Sequence, residues 1–198
     1  MNFTKDFLEK TALVAESLDA VAIEKMVMVL AEVRESGGRV FFVGSGGGAG
    51  HASHATCDFR KLAGFEAICP TDNVSELTAR INDEGWETSI AECLKASRIS
   101  GRDALFVFSV GGGSEEKNIS RNLVNAVNLA KERGAKVLGV LGRDGGFTAA
   151  NADACVVVPT VDPALGTPLT EAFQAVVWHL LVSHPALQKH GAKWEMTK

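Results

Sequence analysis

The sequence of 198 residues lacks the features that mark membrane proteins and nucleic-acid-binding proteins. No stretch of 18 apolar residues is present, and the first nine residues carry Lys5, Asp6 and Glu9 in place of an apolar signal segment. We therefore expect a cytoplasmic protein with no membrane partner. The net charge of −4 argues against a nucleic-acid partner, because binding nucleic acid requires clustered lysine and arginine.

Cysteine is also sparse and arranged without a pattern. The four cysteines, Cys57, Cys69, Cys93 and Cys155, are widely spaced and form no CxxC pair. This usage is typical of buried thiols in a reducing compartment rather than of a disulfide framework. Glycine is abundant, with 20 residues, and 46% of the chain is hydrophobic, which is ordinary for a globular protein. The chain is long enough to bury a core, and we expect one domain over residues 1–198.

Hydrophobic periodicity predicts an α/β fold. Residues 3–36 show two helical runs, which we interpret as a helical N-terminal arm over 1–36 in front of an α/β core over 37–185. The predicted strands are 39–43, 67–69, 104–108, 136–141 and 154–158, and the predicted helices are 51–62, 86–97, 120–133 and 170–184, with further helix-start residues at 72–76. Strands that alternate with helices indicate a three-layer fold, in which helices flank one parallel sheet of about five strands.

A glycine-rich loop, residues 44–50, follows the first strand and leads into a helix. Its free N–H groups and the helix N-terminus would suit an oxyanion held by Ser45, Gly46, Gly47 and Gly48. The loop approximates the dinucleotide fingerprint, but no acidic ribose ligand ends the second strand, and the Walker pattern is absent. The sequence therefore favours a phosphate or sugar site, with a purely structural tight turn as the alternative.

A second loop of the same kind, residues 109–114, follows the third predicted strand and has the hydroxyl groups of Ser109 and Ser114 at its ends. Two such loops at equivalent places on one sheet predict a phosphorylated ligand. Neither loop contains lysine, so we expect a phosphate monoester bound through amides and hydroxyls rather than a nucleoside triphosphate.

Two pairs of polar residues lie on predicted helices. His54 and Asp58 are four residues apart on the helix after the first loop, so they share a face. Glu171 and His179 are eight residues apart on the otherwise apolar last helix, where burying them is costly unless they are paired or used. The four groups suit a zinc site or an acid–base set, and the sequence does not separate these from satisfied structural groups.

A polar pair, Asn82 and Asp83, is predicted to lie in a turn before the helix that begins near residue 86. Such a turn would be able to reach sugar hydroxyls, and ordinary turn chemistry is the alternative.

Taken together, these motifs resemble the sugar isomerase (SIS) domain family and, within it, the phosphoheptose isomerases. The resemblance covers most of the chain, from the helical arm to His179. It is carried by residues 43–48, His54, Asp58, Asn82–Asp83, Phe108–Ser109, 142–146, Glu171 and His179.

The resemblance implies a flavodoxin-like topology and an aldose–ketose isomerase that converts D-sedoheptulose 7-phosphate to D-glycero-D-manno-heptose 7-phosphate through an enediol. It implies proton transfer by Asp58 and His179, and a zinc ion held by His54, Asp58, Glu171 and His179. It further implies a homotetramer. The phosphate would be bound by the amides of 45–48 and by the hydroxyls of Ser109, Ser114 and Ser120.

The chain departs from the family pattern at three places. Asp58 stands where the family has glutamate, which shortens its reach by roughly 1–1.5 Å, a distance to which catalysis is sensitive. Glu171 stands where the family has glutamine, and its added charge would strengthen metal binding or supply a replacement base. The second loop has Val110 and Gly111 where the family has hydroxyl residues, and about six extra residues precede Ser120.

These departures keep two other functions open. One is a non-catalytic SIS module, either a sugar-phosphate sensor or an oligomeric adaptor such as the family member that assists the replication initiator. The other is isomerisation of a different ketose phosphate. The complete polar set on the two helices favours catalysis, because a pure adaptor does not need it.

Overall fold

The computed structural model describes residues 2–191 and shows a sheet with five strands, all parallel. The strands are β1 (Arg39–Gly44), β2 (Glu66–Ile68), β3 (Ala104–Ser109), β4 (Lys136–Leu141) and β5 (Ala154–Val157). Their order is β2-β1-β3-β4-β5. The chain therefore adds β2 on one side of β1 and then β3, β4 and β5 on the other side, so the strand order reverses between β1 and β3. This is the flavodoxin-like order, and the predicted fold is confirmed.

Helices cover both faces of the sheet. They are α1 (Phe3–Glu16), α2 (Ala20–Glu35), α3 (Gly47–Lys61), α4 (Val74–Glu84), α5 (Ser89–Ala96), α6 (Arg121–Glu132), α7 (Gly146–Asn151) and α8 (Gly166–Ser183). The first two helices begin at side-chain caps, because Asn2 accepts a hydrogen bond from the Thr4 amide and Asp19 accepts one from the Ala22 amide.

The hydrophobic core is divided by the sheet into two clusters. One cluster joins α2, α3 and α8 to the strand residues Phe42, Phe106 and Phe108, and the ring centroids of Phe42 and Phe106 are 5.1 Å apart. The other joins α5 and α6 to the opposite sheet face, which includes Phe41. Helix α2 contributes five buried side chains to the first cluster, so the second helix of the N-terminal arm packs on the core.

Several helices differ from the sequence expectation. Helix α3 begins at Gly47, inside the glycine-rich loop, rather than near residue 51. Helix α4 runs through the segment predicted to be a turn, so Asn82 and Asp83 lie in its last turn, and α5 begins only at Ser89. A short helix, α7, follows the 142–146 segment and was not predicted.

Candidate active site

A cavity of about 190 Å³ lies at the carboxyl ends of β1 and β3, where the strand order reverses. Open parallel sheets bind ligands at this position. At roughly 30 Å³ for each water, the cavity has room for about six water molecules. Its lining comes from both glycine-rich loops and from α6 and α8: Ser45, Gly48, Phe108, Ser109, Val110, Gly111, Ser120, Leu123, Glu171 and Gln174.

The first glycine-rich loop brings the start of α3 against the end of β3. Gly46 precedes the helix with a φ of 56°, in the left-handed region that favours glycine. Gly48 packs so closely that a Cβ atom there would lie 2.5 Å from the Phe108 carbonyl oxygen. The Gly48 and Ala49 amides already donate to the Ser45 and Gly46 carbonyls at 3.1 and 3.0 Å, so what the start of α3 offers an anion in the cavity is chiefly the partial positive charge of the helix N-terminus.

The hydroxyl oxygens of two cavity serines each accept a hydrogen bond from another part of the chain. The Ser45 Oγ accepts a hydrogen bond from Nδ2 of Asn122 at 3.1 Å, and the Ser109 Oγ accepts one from the Gly112 amide at 3.0 Å. Because each oxygen already accepts an N–H, its own proton is left to donate. A third hydroxyl comes from Ser120, which precedes α6 with a φ of 50°.

Ser114 lies away from this cavity. The Ser114 and Ile119 backbones exchange two hydrogen bonds and close the segment between them into a small hairpin. The Ser114 Oγ accepts a hydrogen bond from the Lys117 amide at 3.1 Å. It lines a separate, larger cavity of about 940 Å³ beside Arg143. The prediction that Ser114 binds the phosphate therefore finds no support in its position.

An acidic side chain, that of Glu171, packs against the first loop. The carboxylate of Glu171 rests on Gly47, where an added Cβ atom would lie 2.6 Å from it. His51, one turn further along α3, lies beside Glu171. Burial lowers the pKa of the His51 imidazole below its ordinary value, and the neighbouring Glu171 carboxylate opposes this shift without overcoming it. His51 is therefore predominantly neutral at neutral pH.

Three of the four predicted zinc ligands come together between α3 and α8. Oδ2 of Asp58 lies 3.9 Å from Nε2 of His54 and 3.9 Å from Nε2 of His179. The two imidazole rings meet edge to face, with centroids 5.8 Å apart. The Asp58 side chain is only 8% exposed, whereas that of His54 is 61% exposed, so the group has a buried carboxylate below a solvent-facing imidazole.

This group of three, His54, Asp58 and His179, fits a zinc ion. Two imidazole nitrogens and one carboxylate oxygen form a known catalytic zinc set, which keeps one coordination position open. The three atoms lie within 4.8 Å of one another, compared with roughly 3.4 Å for ligands of one tetrahedral zinc, so small side-chain shifts would close the site. Nδ1 of His179 donates to the Ala175 carbonyl at 2.8 Å, which leaves Nε2 as the metal-binding or proton-carrying atom.

Helices α3 and α8 run in the same direction, and the cavity and the group of three lie at different positions along them. Glu171 contacts the start of α3, and His179 meets His54 and Asp58 further along it. Eight residues of helix separate Glu171 from His179, a rise of about 12 Å. Glu171 is therefore placed at the cavity, while its predicted role as a fourth zinc ligand stays a prediction.

Some of the other predicted site residues lie at the cavity and others lie away from it. Ser45, Gly48, Ser109 and Ser120 line the cavity together, although the Gly48 amide already donates to the Ser45 carbonyl at 3.1 Å. Gly46 and Gly47 form the loop beside them. In contrast, Asn82 and Asp83 are exposed, and the Asn82 side-chain amide donates to Asp83 rather than to any group of the cavity.

Sequence reasoning missed Gln174 and Asn122 at this site and expected His51 only to line the first loop. Gln174 lines the cavity, Asn122 bonds Ser45, and His51 adjoins Glu171. A partial signal existed for two of them. Gln174 is a polar residue within the apolar last helix, and His51 lies three residues before His54. Asn122 carried no signal, because its partner is far away in sequence and the contact depends on how α6 packs.

Comparisons with known proteins agree with this architecture. The family model of the SIS domain matches residues 3–142. A lincomycin biosynthesis protein, LmbN, of Streptomyces lincolnensis is 32% identical over 93% of this chain and 69% of its own length. A phosphoheptose isomerase of Helicobacter pylori is 29% identical over 95% of each chain. The solved phosphoheptose isomerase of Neisseria gonorrhoeae superposes with a TM-score of 0.77 at 25% identity, over 90% of this chain and 94% of that one.

The fold and the family match define the class of protein: the chain belongs to the SIS domain family. The resemblance to phosphoheptose isomerases that the motifs indicated is thereby confirmed. Among residues 2–191, no helix is both long and apolar enough to cross a membrane.

Proposed function

We propose that this protein interconverts the ketose and aldose forms of a seven-carbon sugar phosphate, D-sedoheptulose 7-phosphate and D-glycero-D-manno-heptose 7-phosphate. The broader class, a sugar-phosphate isomerase, follows from its similarity to several phosphoheptose isomerases across nearly the whole chain. The narrower substrate rests on the shape of the site.

The spacing of the site along α3 and α8 is the observation that carries this proposal. A phosphate bound by Ser45, Ser109 and Ser120 would lie at the cavity, whereas His179 lies about two helical turns beyond Glu171 along α8 and His54 lies six residues, a rise of about 9 Å, beyond Gly48 along α3. A ligand that reaches both places must be long and open-chained. This favours an extended heptose phosphate over a triose phosphate.

In the proposed reaction, the phosphate end anchors the sugar and the carbonyl end meets the group of three. The Asp58 carboxylate removes the proton on the carbon beside the carbonyl, and His179, when protonated at both ring nitrogens, gives its Nε2 proton to the developing oxyanion, which produces an enediol. Asp58 then delivers its proton to the neighbouring carbon while the hydroxyl on the first carbon returns a proton to His179, which gives the aldose and restores both groups. Glu171 is a second carboxylate on the path of the sugar chain and the alternative base.

We also propose that zinc is the resident metal, bound by His54, Asp58 and His179. When bound, zinc would take the Nε2 position of His179 and would supply Lewis acidity to the oxygen of the enediolate in place of the Nε2 proton, with the second carboxylate oxygen of Asp58 left to act as the base. A homotetramer and a cytoplasmic location complete the proposal. The exposed apolar side chains of α1, α2 and α8 support self-association.

The assignment of the base is tested with two substitutions. Removing a positioned acid or base typically costs 10²- to 10⁴-fold in rate, so Asp58→Asn should lower kcat on sedoheptulose 7-phosphate at least about 100-fold. Glu171→Gln, which restores the family's residue at that position, should retain most of the activity. The reverse pattern would transfer the role of base to Glu171.

Binding without turnover is the outcome that would favour a sugar-phosphate sensor. The missing hydroxyls at Val110 and Gly111 are the feature that supports this second function. In that case sedoheptulose 7-phosphate would raise the melting temperature, while no aldose would form in the presence of zinc.

A further inference from the structure

Asn122 is a buried amide whose position suggests a role in ligand binding. It is the second residue of α6, its side chain is 0% exposed, and its Nδ2 donates to the Ser45 Oγ at 3.1 Å. Its Oδ1 is also buried and has no hydrogen-bond partner among residues 2–191. An amide with one unused oxygen is a costly way to fill space that leucine, of similar size, would fill without a polar group.

The contact with Ser45 crosses between the two halves of the cavity. Ser45 belongs to the loop after β1, whereas Asn122 belongs to the helix that follows the second loop. Apart from this hydrogen bond, the Ser45 hydroxyl would rotate freely and offer a ligand either its proton or its lone pairs. A phosphate oxygen accepts hydrogen bonds only, so the direction of this hydroxyl decides whether Ser45 attracts or repels an anion.

We propose that Asn122 is a positioning residue for the phosphate site: by donating to the Ser45 oxygen, it directs the Ser45 hydroxyl proton into the cavity toward the phosphate. Asn122 acts through Ser45 and does not itself touch the ligand. The proposal rests on the proposed function for the identity of the phosphorylated substrate. The orientation of Ser45 itself applies to any phosphate monoester.

The proposal predicts that Asn122→Leu weakens binding only through Ser45. Affinity for inorganic phosphate and for sedoheptulose 7-phosphate, measured by calorimetry, should each fall about tenfold. In a Ser45→Ala background, the same substitution should change the two affinities by less than twofold, because the hydroxyl that it orients is gone. In turnover, KM should rise about tenfold with kcat nearly unchanged, since the phosphate is remote from the reacting carbons.

A matched control is available on the same helix. The side chain of Asn125 also donates its Nδ2 hydrogen bond to a distant group, the Glu87 carbonyl at 2.9 Å, but it does not line the cavity. Asn125→Leu should leave both affinities within twofold of the original protein. If Asn122→Leu does not fold, Asn122→Ala provides the second variant, with the same expected dependence on Ser45.

Two results would overturn the proposal. One is an equal loss of affinity in the presence and absence of the Ser45 hydroxyl, which would indicate a structural role. The other is unchanged affinity for both ligands in Asn122→Leu. The phosphate measurement needs no turnover, so it distinguishes failure of this proposal from failure of the isomerase assignment, which would show as normal Asn122-dependent binding without product.

Discussion

At the scale of single residues, Asp58 joins the metal proposal to the catalytic one. Its carboxylate oxygen is equidistant from two imidazole nitrogens, at 3.9 Å from each, and the side chain is almost fully buried. A buried carboxylate is costly unless it is paired with cations or metal. A zinc ion or a protonated histidine would satisfy it, and both fit the proposed chemistry.

Zinc binding is predicted to depend on this group. In His54→Ala, zinc affinity should fall more than tenfold, because one of the three protein ligands is lost. The matched control is His184→Ala, since His184 lies outside the group and contacts Glu24 at 3.5 Å. Zinc per chain after dialysis, measured by mass spectrometry, provides the readout. Equal zinc retention in the two variants would contradict the assignment.

A second residue-scale prediction concerns Asp103, which is buried beside Arg39. Burial alone would raise the pKa of Asp103, but hydrogen bonds from the Arg39 side chain and backbone and from Ser100 outweigh it and hold the pKa below its ordinary value. Stability from this group is therefore present above about pH 4 and is lost as pH falls through the lowered pKa of the folded state.

Asp103→Asn should accordingly lower the free energy of unfolding at pH 7 by about 3 kcal/mol, because it leaves the partly buried Arg39 without its charged partner. The difference between variant and original should shrink as pH falls below about 4. Urea unfolding at a series of pH values measures it. A difference independent of pH would exclude linkage to this carboxyl.

At the scale of elements, the loop that becomes α3 determines the site. Buried apolar runs predicted the strands closely, with β4 matching residue for residue. The start of α3 was misplaced because glycines 47, 48 and 50 have low helix propensity. Here close packing of Gly48 on Phe108 overrides propensity, and the sequence alone contains no sign of that contact.

Because the sequence does not reveal tertiary contacts, only some of the predicted site residues were placed correctly relative to the cavity. Spacing of four residues on one helix is local, so His54 and Asp58 were predicted to meet. Which phosphate-loop hydroxyls reach the cavity is set by tertiary folding. The hairpin between Ser114 and Ile119 holds Ser114 outside the cavity, whereas Ser120, just after the hairpin, lines it. The spacing of these serines in the sequence does not predict this difference.

The element-scale prediction is that Gly48→Ala separates α3 from β3. Its Cβ atom would lie 2.5 Å from the Phe108 carbonyl oxygen, so the backbone must move, at a cost of about 1–3 kcal/mol in unfolding free energy. Gly50→Ala is the control, because its Cβ atom meets nothing within 4 Å and alanine favours the helix. Denaturant unfolding measures both, and equal stability of the two variants would contradict the packing account.

At the scale of the whole molecule, large apolar side chains are exposed on α1, α2 and α8. They include Phe3 and Leu8 on α1, Val21 and Met28 on α2, and Val176 and Leu180 on α8. Apolar surface of this kind, shared among neighbouring helices, is typical of contacts between copies of a chain.

The predicted assembly is a homotetramer, with a sedimenting mass four times the 20.9 kDa of the chain. Met28→Glu should shift sedimentation toward smaller species, because it places a charge on the exposed apolar surface of α2. Asn128→Glu, an exposed position on α6, serves as the control. A monomer at micromolar concentration in the unaltered protein would contradict the prediction.

The central claim is that α3 and α8 together carry out an enediol isomerisation on a sugar phosphate anchored at the glycine-rich loops. The most direct measurement is NMR of sedoheptulose 7-phosphate incubated with zinc-loaded protein in heavy water. The account predicts an aldose heptose 7-phosphate that carries deuterium at the carbon beside the aldehyde, since the transferred proton exchanges with solvent. An unchanged ketose, with folded protein and bound zinc, would contradict it.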